Sequence, residues 1–249
     1  MDNKKTIVVK YGSKCLVNGD GLDHERINLY AQKLAQLRGR YNIIVVSSGS
    51  VAAGKRRCGA AGVTAKALSN RTHASLGSAG AALAWEQAFM AQNVLAGQVL
   101  VTHYEIDTAN EGPVLQQALH ENMNSGVVSV VNENDVLSQE ELKKIAYGGD
   151  NDGLASHLAV AMHADALLLL TSVEGFLIDN TVQKTVKAST IESLDVHFDV
   201  TNSEGTGSIK SKLIAAADAS RGGVRSFIAH AEADYNDVLS GRVGTQVIQ

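Results

Sequence analysis

The stretch "ADALLLLTSVEG", residues 164–175, runs through four consecutive leucines and then stops at Thr171 and Ser172, two small hydroxyl side chains. A strand with one face in water alternates apolar and polar residues; a strand covered on both faces is apolar throughout. This segment therefore reads as a strand buried in the middle layer of a sandwich, with a polar turn at its carboxyl end. The same signature recurs in "TIVVK" (6–10), "NIIVVS" (42–47), "GQVLVT" (97–102) and "GVVSVVN" (126–132). "VRSFIA" (224–229) reads as a late strand, and "GTQVI" (244–248) as a last edge strand.

Helical spacing fills the intervals. "HERINLYAQKLAQLRGR" (24–40) puts Ile27, Tyr30, Leu34 and Leu37 on one face. Residues 65–92, rich in alanine and leucine, read as one long helix or two abutting ones. Further helices are expected at 111–125, 152–163 and 208–221. Strands alternating with helices predict a doubly wound α/β sandwich. No linker, low-complexity segment or internal repeat divides the chain, so one domain over residues 1–249 is expected.

Composition excludes several functions. The net charge is −4 with both signs interspersed, which leaves no electrostatic footprint for nucleic acid or an anionic membrane. No apolar run approaches the length of a membrane span, and no secretory apolar region follows "MDNKK". Cys15 and Cys58 cannot form a disulfide framework and read as reduced thiols, so a cytoplasmic location is expected. The P-loop and G-x-G-x-x-G signatures are absent, as are H-E-x-x-H, paired C-x-x-C and the G-x-S-x-G elbow. The histidines show no ligand spacing. His157 and His163, six residues apart, do not share a helix face and read as structural or surface residues, so no metal ligands from the protein are expected.

In doubly wound folds the working surface lies at the carboxyl ends of the strands. Those ends here are Lys10-Tyr11-Gly12-Ser13, Ser47-Ser48-Gly49-Ser50, Asn132-Glu133-Asn134-Asp135 and Thr171-Ser172-Val173-Glu174-Gly175. Glycines, lysines and aspartates suffice for phosphoryl transfer, which needs charges positioned in line and cancelled more than it needs covalent help. Each element also has an ordinary explanation. Lys10, by position alone, is a strand-end lysine reaching solvent. "EGTGSIKSKL" (204–213) sets Gly205, Thr206 and Gly207 before a helix bearing Lys210 and Lys212, and such a turn can be plain capping. "VNENDVL" can be an Asx-rich turn. In "GGDNDGL" one of Asp150, Asn151 and Asp152 serves as the helix cap. The other two are more than a helix end requires; facing a cleft, they can hold a substrate amine and orient a lysine or a metal ion.

The segments "IVVKYGSK", "VVSSGSVAAG", "VVNENDVL", "GGDNDGLAS", "LLLLTSVEG" and "GTGSIKSKLIAAADASRGGV", in this order, resemble the amino acid kinase family, and within it the glutamate 5-kinases. The likeness covers almost all of residues 6–248. It implies an open three-layer αβα sandwich with a mainly parallel central sheet of about eight strands. It also implies ATP, Mg²⁺ carried by the nucleotide, and transfer of the γ-phosphoryl group to the side-chain carboxylate of L-glutamate, the first step of proline biosynthesis. Matched residue by residue, Lys10 and Lys212 are the phosphate-stabilising lysines and Asp152 the aspartate that orients them. Ser48, Gly49, Asp135 and Asn151 fall at amino-acid-binding positions, Gly49 as a backbone donor near the phosphates. Gly12, also such a donor, falls in the nucleotide site with Lys10, Thr171, Ser172 and the segment Gly205, Thr206, Gly207, Ser208 and Lys212. The partners implied are small molecules and further copies of the chain, as a homodimer or homotetramer. The 65–92 region serves either, because Leu76, Leu83 and Phe89 fit a twin subunit or the core.

The chain departs from the family pattern in four places. Ser172 stands where an aspartate is usual, Lys14 where a serine is common, and Ser208-Ile209 where a glycine–methionine pair is usual. The segment "HYEIDTANEGPVLQQALHENM" (103–123) has no arginine, although relatives carry an Arg- and Asn-bearing stretch there. The C-terminal RNA-binding-type domain of many glutamate 5-kinases has no expected counterpart. Two alternatives stay open: a kinase of this fold acting on another small acid, phosphonate or phosphate, and a catalytically weak nucleotide-binding regulator.

Overall fold

A computed structural model describes residues 4–19, 21–137, 151–193 and 208–249. In chain order its elements begin with β1 (Lys5–Tyr11), α1 (Ser13–Leu16), the ribbon β2 (Val17–Asn18) and β3 (Gly21–Leu22), and α2 (His24–Leu37). Next come β4 (Tyr41–Val46), α3 (Ser50–Ala60), α4 (Asn70–Met90), β5 (Ala96–Val101), α5 (His103–Asp107), α6 (Glu111–Asn124) and β6 (Val128–Glu133). Then follow α7 (Asn151–Ala161), β7 (Ala166–Thr171), the ribbon β8 (Leu177–Ile178) and β9 (Thr181–Val182), and β10 (Thr185–Lys187). The chain finishes with α8 (Ile209–Arg221), β11 (Arg225–His230), α9 (Tyr235–Leu239) and β12 (Thr245–Ile248).

The apolar runs become one 8-stranded sheet in the order β10-β12-β11-β7-β1-β4-β6-β5. Every pairing is parallel except that of β11 with β12. Strand alternation divides each run between two cores. Ile7, Val9, Ile43, Val45, Leu168 and Leu170 face the layer built from α2, α4 and α9, where Ile27, Tyr30, Leu34 and Leu37 fill the predicted stripe of α2. Val8, Ile44, Val46, Leu167 and Leu169 face the layer of α6, α7 and α8. That is why these strands carry no polar alternation: both faces are interior.

Two expectations are corrected and one is narrowed. Residues 244–248 do not form an edge strand: β12 lies between β11 and β10, and β10 takes the edge. Residues 65–92 form a short 3-10 turn at Ala65–Ala67 followed by the single long helix α4. Along that helix Phe89 is fully buried while Leu76 and Leu83 are 37% and 49% exposed, so core packing explains only the first. Helix α3, not expected from the sequence, lies against α4 at backbone distance. A methyl group on Gly54 would fall 1.8 Å from the His73 carbonyl oxygen, and one on Gly77 1.9 Å from that of Ser50. Only glycine permits this approach, and it fixes the start of α3 beside the end of β4.

Candidate phosphate-handling site

The strand order reverses beside β1. From β1 the chain moves to β4 on one side; from β7, on the other side, it moves away to β11. A crevice opens at the carboxyl ends of strands where such a reversal occurs. Lys10 shares the face of Val8, so its side chain enters the layer that holds α7 and α8.

Three charged side chains meet there. Lys10 Nζ stands 2.6 Å from Asp152 Oδ1, and Lys212 Nζ donates to Asp152 Oδ2 at 3.0 Å. Ser211 Oγ donates to that second oxygen at 2.8 Å. Lys10, Asp152 and Lys212 are 1%, 1% and 2% exposed. The strand-end lysine thus does not reach solvent. An isolated buried charge is costly; here one carboxylate placed between two ammoniums and a hydroxyl donor offsets the cost of burying them. Asp152 lies in the first turn of α7, where the helix dipole also favours a negative charge. Two ammoniums and one carboxylate leave this trio a formal surplus of one positive charge. Lys212 comes from the first turn of α8, which Ser208 caps by accepting from Ser211 N at 3.1 Å.

A second group, amide and hydroxyl, adjoins it in sequence. Asn151 Nδ2 has three acceptors for its two hydrogens: the Ser47 carbonyl at 2.8 Å, Ser48 Oγ at 3.0 Å and Asn132 Oδ1 at 3.2 Å. Asn132 Nδ2 donates to Ser50 Oγ at 2.7 Å, and its Oδ1 also receives Glu133 N at 2.9 Å. Trp85 Nε1 donates to Ser47 Oγ at 2.7 Å, tying this network to α4. The ends of β4 and β6 and the start of α7 are therefore one hydrogen-bonded unit. Gly49 sits at φ 106° before α3, in the left-handed region, and a methyl there would meet Leu22 Cδ2 at 2.8 Å.

The remaining predicted residues are placed as follows. Gly12 donates its N–H to the Leu170 carbonyl at 3.2 Å, and a methyl on it would lie 4.0 Å from Lys212 Nζ. Thr171 closes β7 and is half-buried; Ser172, next to it, is exposed. Asp135 is half-buried in the turn after β6, its N–H donating to the Glu133 carbonyl at 2.9 Å. Gly205, Thr206, Gly207 and Asp150 lie outside the described residues. The bonds of Ser47 and Asn132 to the site were not assigned from the sequence, although both stand at strand ends where polar side chains cluster. Cys15 is buried nearby. Burial raises its thiol pKa against the opposing pull of Lys212 and Lys10, so it stays protonated at neutral pH.

The profile of the amino acid kinase family matches residues 5–230. Glutamate 5-kinase of Haemophilus influenzae (strain PittEE) is 31% identical over 237 residues, covering 91% of this chain. Glutamate 5-kinase of Nocardia farcinica is 34% identical over 249 residues, covering 97% of this chain and 67% of its own length. The chain spans 63% of the length of the Haemophilus relative. Among solved structures, Giardia carbamate kinase superposes with a TM-score of 0.71 at 20% identity, covering 100% of both chains. N-acetylglutamate synthase from Neisseria gonorrhoeae superposes with a TM-score of 0.63 at 18% identity, covering 98% of this chain and 61% of its own. At those identities the likeness is one of fold. The family profile, by contrast, runs through the sheet from β1 to β11 and takes in both buried lysines and the aspartate between them: the chain belongs to the amino acid kinase family.

Proposed function

We propose that this chain is a cytoplasmic phosphotransferase that moves the γ-phosphoryl group of ATP onto the side-chain carboxylate of L-glutamate, giving ADP and L-glutamyl 5-phosphate. One observation carries the reading. Two ammoniums from distant parts of the chain, residues 10 and 212, converge on one buried carboxylate. The surplus positive charge of this trio, and the missing side chain at Gly12, suit an incoming phosphate chain. Similarity to the Haemophilus and Nocardia glutamate 5-kinases supports the acceptor and a place in proline synthesis. A Giardia carbamate kinase described as bound to AMP-PNP, superposing with a TM-score of 0.70, supports a nucleotide donor.

In this mechanism Mg²⁺-bound ATP would supply the phosphoryl group, and the protein supplies position and charge. Lys10 and Lys212 cancel negative charge on the transferring oxygens, which is worth most in a buried site. Asp152 holds both ammoniums at fixed separation and keeps them from turning away. Asn151, Ser48 and Asp135 hold the acceptor amino acid, and the backbone at Gly49 contributes a donor. Thr171, Ser172 and residues 205–208 contact the nucleotide. A carboxylate is already a nucleophile at neutral pH, so no side chain has to remove a proton.

A second reading keeps the fold and donor but changes the acceptor to another small acid, phosphonate or phosphate. It is favoured by residues 103–123, which lack the arginine of the relatives and here form α5 and most of α6. The test is ADP release with glutamate, N-acetylglutamate, aspartate, bicarbonate with ammonia, and inorganic phosphate, with hydroxylamine present to trap an acyl phosphate as its hydroxamate. Glutamate-dependent release with hydroxamate formation is expected. Release with only another acceptor moves the assignment to the second reading; silence with all of them favours a nucleotide-binding regulator.

A further inference from the structure

We infer that His103, Asp107 and His157 form a binding site for a divalent transition-metal ion such as Zn²⁺ or Co²⁺, separate from the phosphate-handling trio. The ligand atoms these residues offer all lie within 4.8 Å of one another. His157 Nδ1 and Asp107 Oδ1 are 3.0 Å apart. The imidazoles of His103 and His157 meet edge to face, with centroids 5.5 Å apart and planes at 89°.

Local structure explains the convergence. His103 and Asp107 are four residues apart on α5 and so share one helix face. Thr102 and Glu105 clamp the start of that helix by a reciprocal cap, in which Thr102 N donates to Glu105 Oε2 at 2.6 Å. His157 comes from α7, five positions beyond Asp152, which is roughly 7.5 Å along the helix axis. Three ligands thus come from two packed helices, and one of those helices is already anchored at its first turn.

The chemistry selects the ion class. Two imidazoles with one carboxylate suit zinc, cobalt, nickel or iron(II); calcium and magnesium prefer oxygen ligands throughout. Metal–ligand bonds of ~2.0–2.2 Å put neighbouring donor atoms about 3–3.5 Å apart. The His157–Asp107 pair already has that spacing, and closing the remainder takes small side-chain rotations. His157 and Asp107 are 26% and 38% exposed at their side chains, so an ion can enter from solvent and keep water on its open positions. Binding would clip the 103–107 segment to the helix whose first turn carries Asn151 and Asp152.

The test uses the full chain, freed of metal with a chelator and dialysed. Titration with Co²⁺ is followed by visible ligand-field absorption, and titration with Zn²⁺ by calorimetry and thermal melting. One equivalent is expected to bind saturably. H103A, D107A and H157A each weaken binding at least 10-fold. Saturating Zn²⁺ raises the melting temperature of the parent chain by about 5 °C, and the variants lose this rise. H157Q guards against misfolding: it should melt like the metal-free parent and still fail to bind. Overturning results are no saturable binding, or a stoichiometry and affinity that H103A, D107A and H157A leave unchanged, which would locate the ion elsewhere on the chain.

Discussion

Helix α7 supports two clusters only five residues apart, at Asp152 and at His157, and they behave as opposites. Around Asp152 the charges are buried, and the carboxylate joins both ammoniums and the Ser211 hydroxyl. Around His157 the groups are partly solvated, and one hydrogen bond and one ring contact join them. Burial makes the difference. In the interior, removing one member of an ion pair strands the others in low dielectric; near the surface, water replaces the lost partner. One helix therefore carries a preset electrostatic device at its start and an adaptable ligand one turn and a half later.

The contrast can be broken most forcefully at Asp152. Asp152→Asn leaves Lys10 and Lys212 side by side without their carboxylate, and should cost about 3–5 kcal/mol of folding stability in urea denaturation at neutral pH. A loss below ~1 kcal/mol would mean that the lysines are not held by this residue. Next in size are Lys10→Ala and Lys212→Ala. Each keeps Asp152 paired with the other lysine, so folding is affected less, but turnover of ATP with the preferred acceptor should fall at least ~100-fold. Near-normal turnover in both would remove these residues from the proposed chemistry. The smallest effect belongs to the other cluster. Without metal, His157→Ala should shift stability by less than about 0.5 kcal/mol, as expected for a partly exposed side-chain pair. A loss of 2 kcal/mol or more in that variant would show a structural pin there, and the comparison between the clusters would fail.

The sheet was largely legible in the sequence because strands interior on both faces leave continuous apolar runs, as at 167–170. The position of a strand within the sheet is not a local property. "GTQVI" therefore looked like an edge, although a three-residue strand, β10, sits outside it. Helix α3 escaped notice because "SVAAGKRRCGA" has little apolar contrast: it packs through Gly54 and Ala53 rather than through large side chains. At the site, residue type at strand ends pointed to phosphate chemistry, but the meeting of residues 10 and 212 rested on family resemblance, since nothing in either local segment encodes it. The histidine cluster was half visible. His103 and Asp107 stand four apart, but the sequence predicts no helix over 103–107 to set them on one face, and their third partner lies on another helix.

The placement of β12 bears on how the protein is made. Among the described residues, β10 joins the sheet only by pairing with β12. A nascent chain that has passed residue 187 must wait for the ribosome to deliver residue 245 and beyond before that edge can be zipped. At typical bacterial and eukaryotic elongation rates the delay is roughly 3–12 s. Once β11 has been made, the edge that β12 will cover stays unpaired for roughly the last 1–3 s of that interval, which makes this flank the place where a chaperone has most to shield.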